Sequence, residues 1–243
     1  MKEVLVVGGA SGIGLAVAMQ LADNPSVQRV HIVDKQPLSE EFAHAKVDSH
    51  VFDLTEQDYS FFDAFHSIDT LFISAGFGRL GLFKDMPEEM ISTYFQVNTI
   101  PAMKLIHRFY DKLESPEPFY CGVMVSISGY LSSPFFSVYG ATKAALRFFI
   151  ESVNVELEKN ASPNKILNIS PGSIKGTGFY KGTTDLAQTA GLASEIIANM
   201  ESRNDLFIPQ YEEIFRNVLE RYHDDFREEG RRSYDYKLNS GRM

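Results

Sequence analysis

Short apolar runs alternate along this chain with longer stretches in which apolar residues recur every three or four positions. The runs that predict strands cover residues 4–7, 30–33, 47–52, 70–73, 123–127 and 166–169. Several are apolar throughout, as expected of strands that are covered on both faces. The helical stretches between them cover residues 13–22, 56–65, 88–113 and 137–158. This rhythm predicts an α/β fold, with a doubly wound, mainly parallel sheet and helices on both faces.

The organisation of the chain predicts a single domain over residues 1–243. A length of 243 residues and a hydrophobic content of 44% are enough for one sizeable core. After Pro171 the chain is predicted to be mainly helical, with a short extended piece at 206–208 and an amphipathic helix over 212–229. The final residues, 230–243, are mixed in charge, which predicts either a loose tail or an arm onto a partner subunit.

Charge and composition favour a small-molecule ligand. The formal net charge of -9 and the lack of a Lys/Arg-rich block argue against a nucleic-acid partner. Residues 4–19 superficially resemble a secretory leader, but Glu3 offsets Lys2 and four glycines interrupt the run. No other apolar run approaches the roughly 20 residues of a membrane span. Because Cys121 is the single cysteine, we expect a reducing compartment and predict a cytoplasmic protein without a metal site.

The first strand leads into a glycine-rich turn at residues 8–14 (GGASGIG), and the first predicted helix follows directly. Glycines let a ligand approach the backbone, and the first N–H groups of a helix attract a pyrophosphate. The GxxxGxG spacing by itself also fits a plain tight loop. Its position between a strand and a helix favours a dinucleotide site.

Asp34 supports the same interpretation from the end of the second predicted strand, twenty residues after Gly14. A carboxylate at this point accepts hydrogen bonds from the adenosine ribose hydroxyls and repels a ribose 2′-phosphate. NAD(H) is therefore favoured, while the adjacent Lys35 leaves NADP(H) possible. The alternative is that Asp34 merely opens a surface turn before Pro37.

A tyrosine and a lysine, Tyr139 and Lys143, follow one helical turn apart in the segment YGATK. This spacing puts the two side chains on one helix face, with their Cβ atoms about 5–6 Å apart. The ordinary tyrosine pKa of about 10 is too high for a base at neutral pH, unless a nearby cation lowers it. Lys143 is placed to do so. Ser126 or Ser128, at the end of a strand, is placed to hydrogen-bond a substrate oxygen.

Pro101 lies well inside the helical pattern of residues 88–113. Proline removes a helical hydrogen bond, so we expect the helix to break or kink near Asn98 and to free a backbone group there. A freed polar group beside a site is available for a ligand or a water.

In these residues the chain resembles the short-chain dehydrogenases/reductases, and the resemblance runs from Val4 to about Thr177. The family's motifs, TGxxxGIG, Asn-Ala-Gly, a helix asparagine, a serine and YxxxK, fall at residues 7–14, Ser74-Ala75-Gly76, Asn98, Ser126, and Tyr139 to Lys143. The resemblance implies a Rossmann-like fold and a homodimer or homotetramer. It also selects Ser126, thirteen residues before Tyr139, over Ser128.

The resemblance further implies a role for each matching residue. Tyr139 is then the general acid/base, Ser126 polarises the substrate oxygen, Lys143 holds the nicotinamide ribose, and Asn98 holds a water of the proton relay. The implied cofactor contacts are Gly8, Ser11, Gly12, Ile13, Gly14, Asp34, Asp53, Leu54, Ala75, Gly76, Tyr139, Lys143, Pro171, Gly172, Ile174 and Thr177. The sequence departs from the pattern at three places. Val7 replaces the usual threonine, and Ile73-Ser74 replaces the usual asparagine pair. Gly176 occupies the position of a threonine in the family, and Thr177 of this chain comes one residue later.

The function predicted from these features is hydride transfer between a nicotinamide cofactor and a small carbonyl or alcohol substrate. Two alternatives belong to other classes: a non-catalytic NAD(H)-binding sensor or scaffold, and a lyase or epimerase that uses NAD transiently. Aromatic residues in loops 77–83, 132–136 and 179–192 suggest an apolar pocket, although core and interface positions fit them equally well.

Overall fold

One parallel sheet forms the centre of the molecule. In the computed structural model, which describes residues 1–180 and 183–239, its strands are β1 (Glu3–Val7), β2 (Arg29–Asp34), β3 (Val47–Val51), β4 (Thr70–Ile73), β5 (Tyr120–Met124), β6 (Ile166–Ile169) and β7 (Leu206–Phe207). Their order is β3-β2-β1-β4-β5-β6-β7, and every neighbouring pair is parallel. The order changes direction between β1 and β4, and a crevice forms at the carboxyl ends of strands at such a point.

Helices cover both faces of the sheet. They are α1 (Gly12–Asp23), α2 (Glu88–Asn98), α3 (Ile100–Arg108), α4 (Tyr110–Glu114), α5 (Ser137–Lys159), α6 (Leu186–Glu201), α7 (Arg216–Asp224) and α8 (Phe226–Asn239). In β1, Val4 and Val6 pack with the α1 and α6 side, while Leu5 and Val7 pack with the α3 and α5 side. Both faces of this strand are therefore buried, as its continuous apolar sequence predicts. Across residues 1–180 and 183–239, none of the helices is long and apolar enough to cross a membrane.

Most predicted elements are confirmed, with differences that have local causes. The predicted helix over 88–113 is divided at Thr99 and Phe109, and Pro101 lies in the first turn of α3, so the break expected near Asn98 is confirmed. The predicted helix over 56–65 is wrong, since this segment contains a 3-10 helix at Ser60–Phe65. The carboxylate of Asp58 accepts from both the backbone and the hydroxyl of Ser60, and such local bonds compete with an α-helix.

The C-terminal segment packs on its own chain. A π-helical turn (Tyr211–Phe215) precedes α7, and the extended backbone of Asp225 separates α7 from α8, where one helix was predicted. The α8 helix continues to Asn239 and contacts the loop before α5. The part of the predicted loose tail up to this residue is thus an ordered helix, and residues 240–243 lie outside the described residues. An arm onto a partner subunit stays a prediction.

Candidate active site

The glycine-rich turn brings β1, α1 and the segment after β4 into close contact. Gly8 and Gly12 have positive φ angles of 82° and 55°, which favour glycine. A Cβ atom added at Gly8 would collide with the backbone nitrogen of Ala75, and one added at Gly14 would collide with the carbonyl oxygen of Gly8. The turn therefore requires glycine for its own packing, and it presents the start of α1 to the crevice.

The start of α1 is suited to an anion. Among the described residues, the Ser11 side chain makes no hydrogen bond that caps α1. The N–H of Gly12 donates to the Thr184 hydroxyl at 3.0 Å, so this N–H can donate to an oxygen atom of a ligand. Ile13 is half-buried and packs at the edge of the core. A pyrophosphate fits these donors because a phosphate oxygen is a stronger acceptor than a neutral hydroxyl.

Carboxylates lie at the carboxyl ends of β2 and β3, at the same edge of the sheet: Asp34 is the last residue of β2, and Asp53 comes two residues after β3. Asp34 accepts from the N–H of Ala10 in the glycine-rich turn at 3.1 Å and from the N–H of Gln36 at 3.2 Å. The bond from Ala10 connects Asp34 to the glycine-rich turn. The bond from Gln36 belongs to a local turn at Asp34, as expected if Asp34 only opens a surface turn before Pro37. Asp53 is exposed, and hydrogen bonds from the backbone and the hydroxyl of Thr55 lower its pKa. Leu54 is half-buried beside the core.

Two residues after β4 connect the turn to the catalytic candidates. The N–H of Ala75 donates to the carbonyl oxygen of Val7 at 3.1 Å. Gly76 is exposed, and a Cβ added there would lie 3.2 Å from Oδ1 of Asn98 and 3.5 Å from Nζ of Lys143. The missing side chain at Gly76 leaves room for a ligand beside these two polar groups.

Ser126, Tyr139 and Lys143 come together at the carboxyl end of β5. Their exposed fractions are 6%, 7% and 3%. The Ser126 side chain hydrogen-bonds the Tyr139 phenol, while the N–H of Ser128 donates to the Ser126 hydroxyl at 3.1 Å. Of the two serines that the spacing left open, Ser126 is thus the one that bonds the phenol. Nζ of Lys143 donates to the carbonyl oxygen of Met124 at 2.8 Å and lies 5.8 Å from the centre of the Tyr139 ring.

Burial controls the charge of both groups. It raises the pKa of Tyr139 to about 12, although the hydrogen bond with Ser126 partly opposes the rise. It lowers the pKa of Lys143 to about 8. Removing a phenol from water disfavours the phenolate, and burial is the largest influence on this pKa. That Lys143 lowers the pKa of Tyr139 stays a prediction. The phenol is a proton donor at neutral pH.

Asn98 ends α2 at the predicted break. Its Oδ1 accepts from the N–H of Phe77 and its Nδ2 donates to the carbonyl of Phe77, each at 2.9 Å. The Nδ2 also lies 3.3 Å from the Thr142 hydroxyl, on the turn of α5 between Tyr139 and Lys143. Asn98 thus joins the loop after β4 to the helix that carries the tyrosine. The sequence did not single out Thr142, since it lies far from Asn98 along the chain.

The loop after β6 closes the crevice from the other side. Pro171 is buried and accepts from the N–H of Ile127 at 3.0 Å. A Cβ added at Gly172 would lie 2.8 Å from the Phe215 ring. The hydroxyl of Thr177 donates to the carbonyl of Ile174 at 2.8 Å. Thr177 is buried, and its side chain lies 3.7 Å from the Cβ position of Gly12, so this loop meets the glycine-rich turn.

Aromatic side chains surround the phenol. The rings of Phe136 and Phe179 lie 5.3 and 5.1 Å from the ring of Tyr139, centre to centre. A Cβ added at Gly78 would lie 2.5 Å from Phe179 and 2.9 Å from Tyr139. Tyr94, which stacks on Phe77 at 4.5 Å, completes the cluster. Sequence reasoning missed Gly78 and Tyr94, because neither belongs to a motif and tertiary packing alone brings them here.

Comparisons with known proteins show the family of this chain. A family model described as short chain dehydrogenase matches residues 2–186. Retinol dehydrogenase 8 from Bos taurus is 25% identical over 233 residues, which cover 89% of this chain and 73% of that protein. An uncharacterized oxidoreductase from Staphylococcus epidermidis is 27% identical over 209 residues, covering 82% of this chain and 88% of the relative.

Solved structures share the same architecture. A short chain dehydrogenase/reductase from Burkholderia phymatum in complex with NAD has a TM-score of 0.77 at 18% identity, covering 92% of this chain and 93% of the other. ElxO with NADP bound has a TM-score of 0.68 at 18% identity, covering 86% of this chain and 98% of the other. These similarities confirm the predicted Rossmann-like, doubly wound fold.

Proposed function

The chain belongs to the short-chain dehydrogenase family of oxidoreductases, as its motifs predict, and from this premise we propose that it transfers hydride between a nicotinamide cofactor and a carbonyl or alcohol substrate. The observation that carries the proposal is the buried group of Ser126, Tyr139 and Lys143 beside the opening at Gly76. Burial of three polar side chains at one point is costly, and a packing role does not require it.

In the direction of reduction, Tyr139 donates its proton to the substrate oxygen. A pKa of about 12 keeps the phenol protonated at neutral pH, so it is ready to act as the acid. Ser126 donates its one hydroxyl hydrogen bond to the same oxygen as charge develops there, in place of the bond it makes to the phenol without substrate. A nicotinamide held in this crevice would supply the hydride for the carbonyl carbon. The alcohol direction reverses both transfers.

Lys143 and Asn98 assist Tyr139 in the proposed reaction. Lys143 is charged below its pKa of about 8, and its ammonium lies beside Gly76, where a ribose hydroxyl is within its reach. Asn98 fixes the loop after β4 through its two hydrogen bonds with Phe77. We propose that the helix break at Thr99 leaves room for a water that returns a proton to Tyr139. Both roles follow the family resemblance.

The cofactor contacts are proposed on the same basis. The glycines at 8, 12 and 14 fit a pyrophosphate at the start of α1, and Asp34 favours NAD(H) because its carboxylate repels a ribose 2′-phosphate. The relative structures named above carry NAD in one case and NADP in another. Lys35 keeps NADP(H) a second choice.

An apolar carbonyl compound fits the surroundings of the phenol best. Phe77, Phe136 and Phe179 belong to the cluster that surrounds Tyr139, and apolar walls with few polar groups select apolar ligands. The ring of Phe179 packs beside Gly78 and lies 5.1 Å from the ring of Tyr139, centre to centre.

The test is NADH oxidation with a panel of aldehydes, ketones and diketones, run beside NADPH. Tyr139→Phe lowers kcat by about 10²–10⁴-fold, the range of general acid–base catalysis, while NADH still binds. Tyr110→Phe, on α4 outside the site, is the matched control and keeps wild-type turnover. Wild-type turnover in Tyr139→Phe would refute the proposal.

The same assay separates the two alternative functions. NADH binding without oxidation of any carbonyl in the panel would favour a sensor or scaffold. Product formation without net NADH consumption would favour a lyase or epimerase.

A further inference from the structure

We propose that Lys237, near the C-terminal end of α8, is a positioning residue of the active site, which holds the loop at residues 132–136 against the phenol of Tyr139. The inference rests on the proposed function for its kinetic readout. It gives the C-terminal helix a part in substrate recognition, and no family motif reaches this position.

The side chain of Lys237 hydrogen-bonds two neighbouring residues of the loop, Ser133 and Pro134. Its Nζ donates to the Ser133 hydroxyl at 2.6 Å and to the carbonyl oxygen of Pro134 at 2.8 Å. The same atom lies 5.5 Å from the centre of the Phe136 ring. Lys237 is 8% exposed. Hydrogen bonds from a buried ammonium are stronger than neutral ones, and their loss leaves buried acceptors unsatisfied.

The next residue of the loop needs such support. Phe135 has a φ angle of 67°, a left-handed conformation that side-chain-bearing residues keep only where their surroundings hold them. Its ring packs on Tyr234 of α8 with centres 4.5 Å apart. Its carbonyl accepts from the N–H of Gly81 at 3.1 Å. The α8 helix therefore holds Phe135 through a ring contact, and Lys237 holds the residues directly before it.

The loop continues directly into the helix of the catalytic candidates. The carbonyl of Phe136 accepts from the N–H of Gly140 at 2.7 Å, in the first turn of α5. The Phe136 ring lies 5.3 Å from Tyr139 and 6.0 Å from Phe179. The position of the loop thus sets where the Phe136 wall stands beside the phenol, and Lys237 acts on the site through this ring.

Lys237→Met keeps the length of the side chain and removes the ammonium. For a bulky apolar ketone that reaches the Phe136 wall, we expect KM to rise about tenfold, the effect of losing one charged hydrogen bond. The kcat stays within about twofold, because the phenol and Ser126 are untouched. A small aldehyde, which does not reach the wall, keeps its KM. Arg231→Met, an exposed cation-to-methionine change on the same helix, is the control and leaves both constants unchanged.

Backbone amide hydrogen exchange of residues 130–140 gives a readout that needs no turnover. Lys237→Met speeds exchange in this segment by about tenfold if it loses a bond that holds the loop, and Arg231→Met does not. If the wild-type chain turned over no carbonyl, the proposed function would fall, while the exchange comparison would still decide whether Lys237 holds the loop.

Equal KM values for the bulky ketone together with equal exchange in wild type and Lys237→Met would overturn the inference. Should Lys237→Met not fold, Ser133→Ala removes one acceptor of the same ammonium from the loop side. It is expected to raise the ketone KM and the loop exchange in the same direction. Unchanged values in that variant would overturn the inference as well.

Discussion

The ammonium nitrogen of Lys143 lies 5.8 Å from the centre of the Tyr139 ring, so a cation and a phenol one helical turn apart share one buried cleft. Burial favours the neutral form of each group: it lowers the pKa of the lysine to about 8 and raises that of the tyrosine to about 12. At neutral pH the phenol therefore keeps its proton and the lysine is mostly charged. This combination suits reduction of a carbonyl.

The pH dependence of reduction is expected to follow Lys143. Its charge is present below the pKa of about 8 and is lost as the pH rises through that value. We expect kcat/KM for carbonyl reduction to be flat near neutral pH and to fall above about pH 8. In Lys143→Arg the guanidinium stays charged, so the fall moves to higher pH. Steady-state rates across the pH range check this, and an unchanged profile in Lys143→Arg would contradict it.

Ser126→Ala tests which serine acts on the substrate oxygen. Removing a preorganised donor to a developing oxyanion costs about 10²–10³-fold in kcat. Ser128→Ala is the matched control, because the backbone N–H of Ser128, rather than its hydroxyl, contacts Ser126. The control is expected to keep kcat within a small factor. Equal losses in the two variants would remove the distinction between the serines.

Much of this site was predictable because its motifs are local. The glycine-rich turn, Asp34 and the pair of Tyr139 and Lys143 each depend on a few consecutive residues or on one strand and the helix after it. The break at Asn98 was predictable for the same reason, since Pro101 acts on its own helix. Local chemistry of this kind can be read in a single sequence.

The remaining features depend on contacts between distant parts of the chain. Thr142 meets Asn98, and Lys237 meets Ser133, through packing that no periodicity encodes. The strand predicted at 123–127 runs instead over Tyr120–Met124, and a 3-10 helix at Ile127–Gly129 follows it. The protonation states of Tyr139 and Lys143 also depend on distant contacts. The sequence shows the spacing of the two residues, but it does not show how deeply they are buried.

Asp34→Asn tests the cofactor preference. The amide oxygen can still accept from the N–H of Ala10, so the turn is kept, while the charge that repels a 2′-phosphate is removed. We expect the ratio of kcat/KM for NADPH to that for NADH to rise about tenfold, or about 1.4 kcal/mol. Asp48→Asn, at a surface ion pair with Arg29, is the control and leaves the ratio unchanged. A ratio that does not move in Asp34→Asn would show that Asp34 does not select the cofactor.

Gly14→Ala tests the packing of the glycine-rich turn. Because the added Cβ collides with the carbonyl oxygen of Gly8, the variant loses about 3 kcal/mol or more of unfolding free energy, at the upper end of overpacking costs. Gly191→Ala, in α6, is the matched control, since its added Cβ meets nothing within 4 Å among the described residues. It gains about 0.5–1 kcal/mol from helix propensity. Urea unfolding of both variants measures the difference, and equal stabilities would contradict the close contact.

The strand order has a consequence for synthesis of the protein. Each strand from β2 onward pairs with a strand that precedes it in the chain, first outward to β3 and then, on the opposite side of β1, through β4 to β7. Domains begin to form while the ribosome is still adding residues, and a nascent chain that ends after β4 already has every sheet neighbour of β1, β2 and β3. The glycine-rich turn can therefore be built before the serine, tyrosine and lysine of the candidate site have been translated.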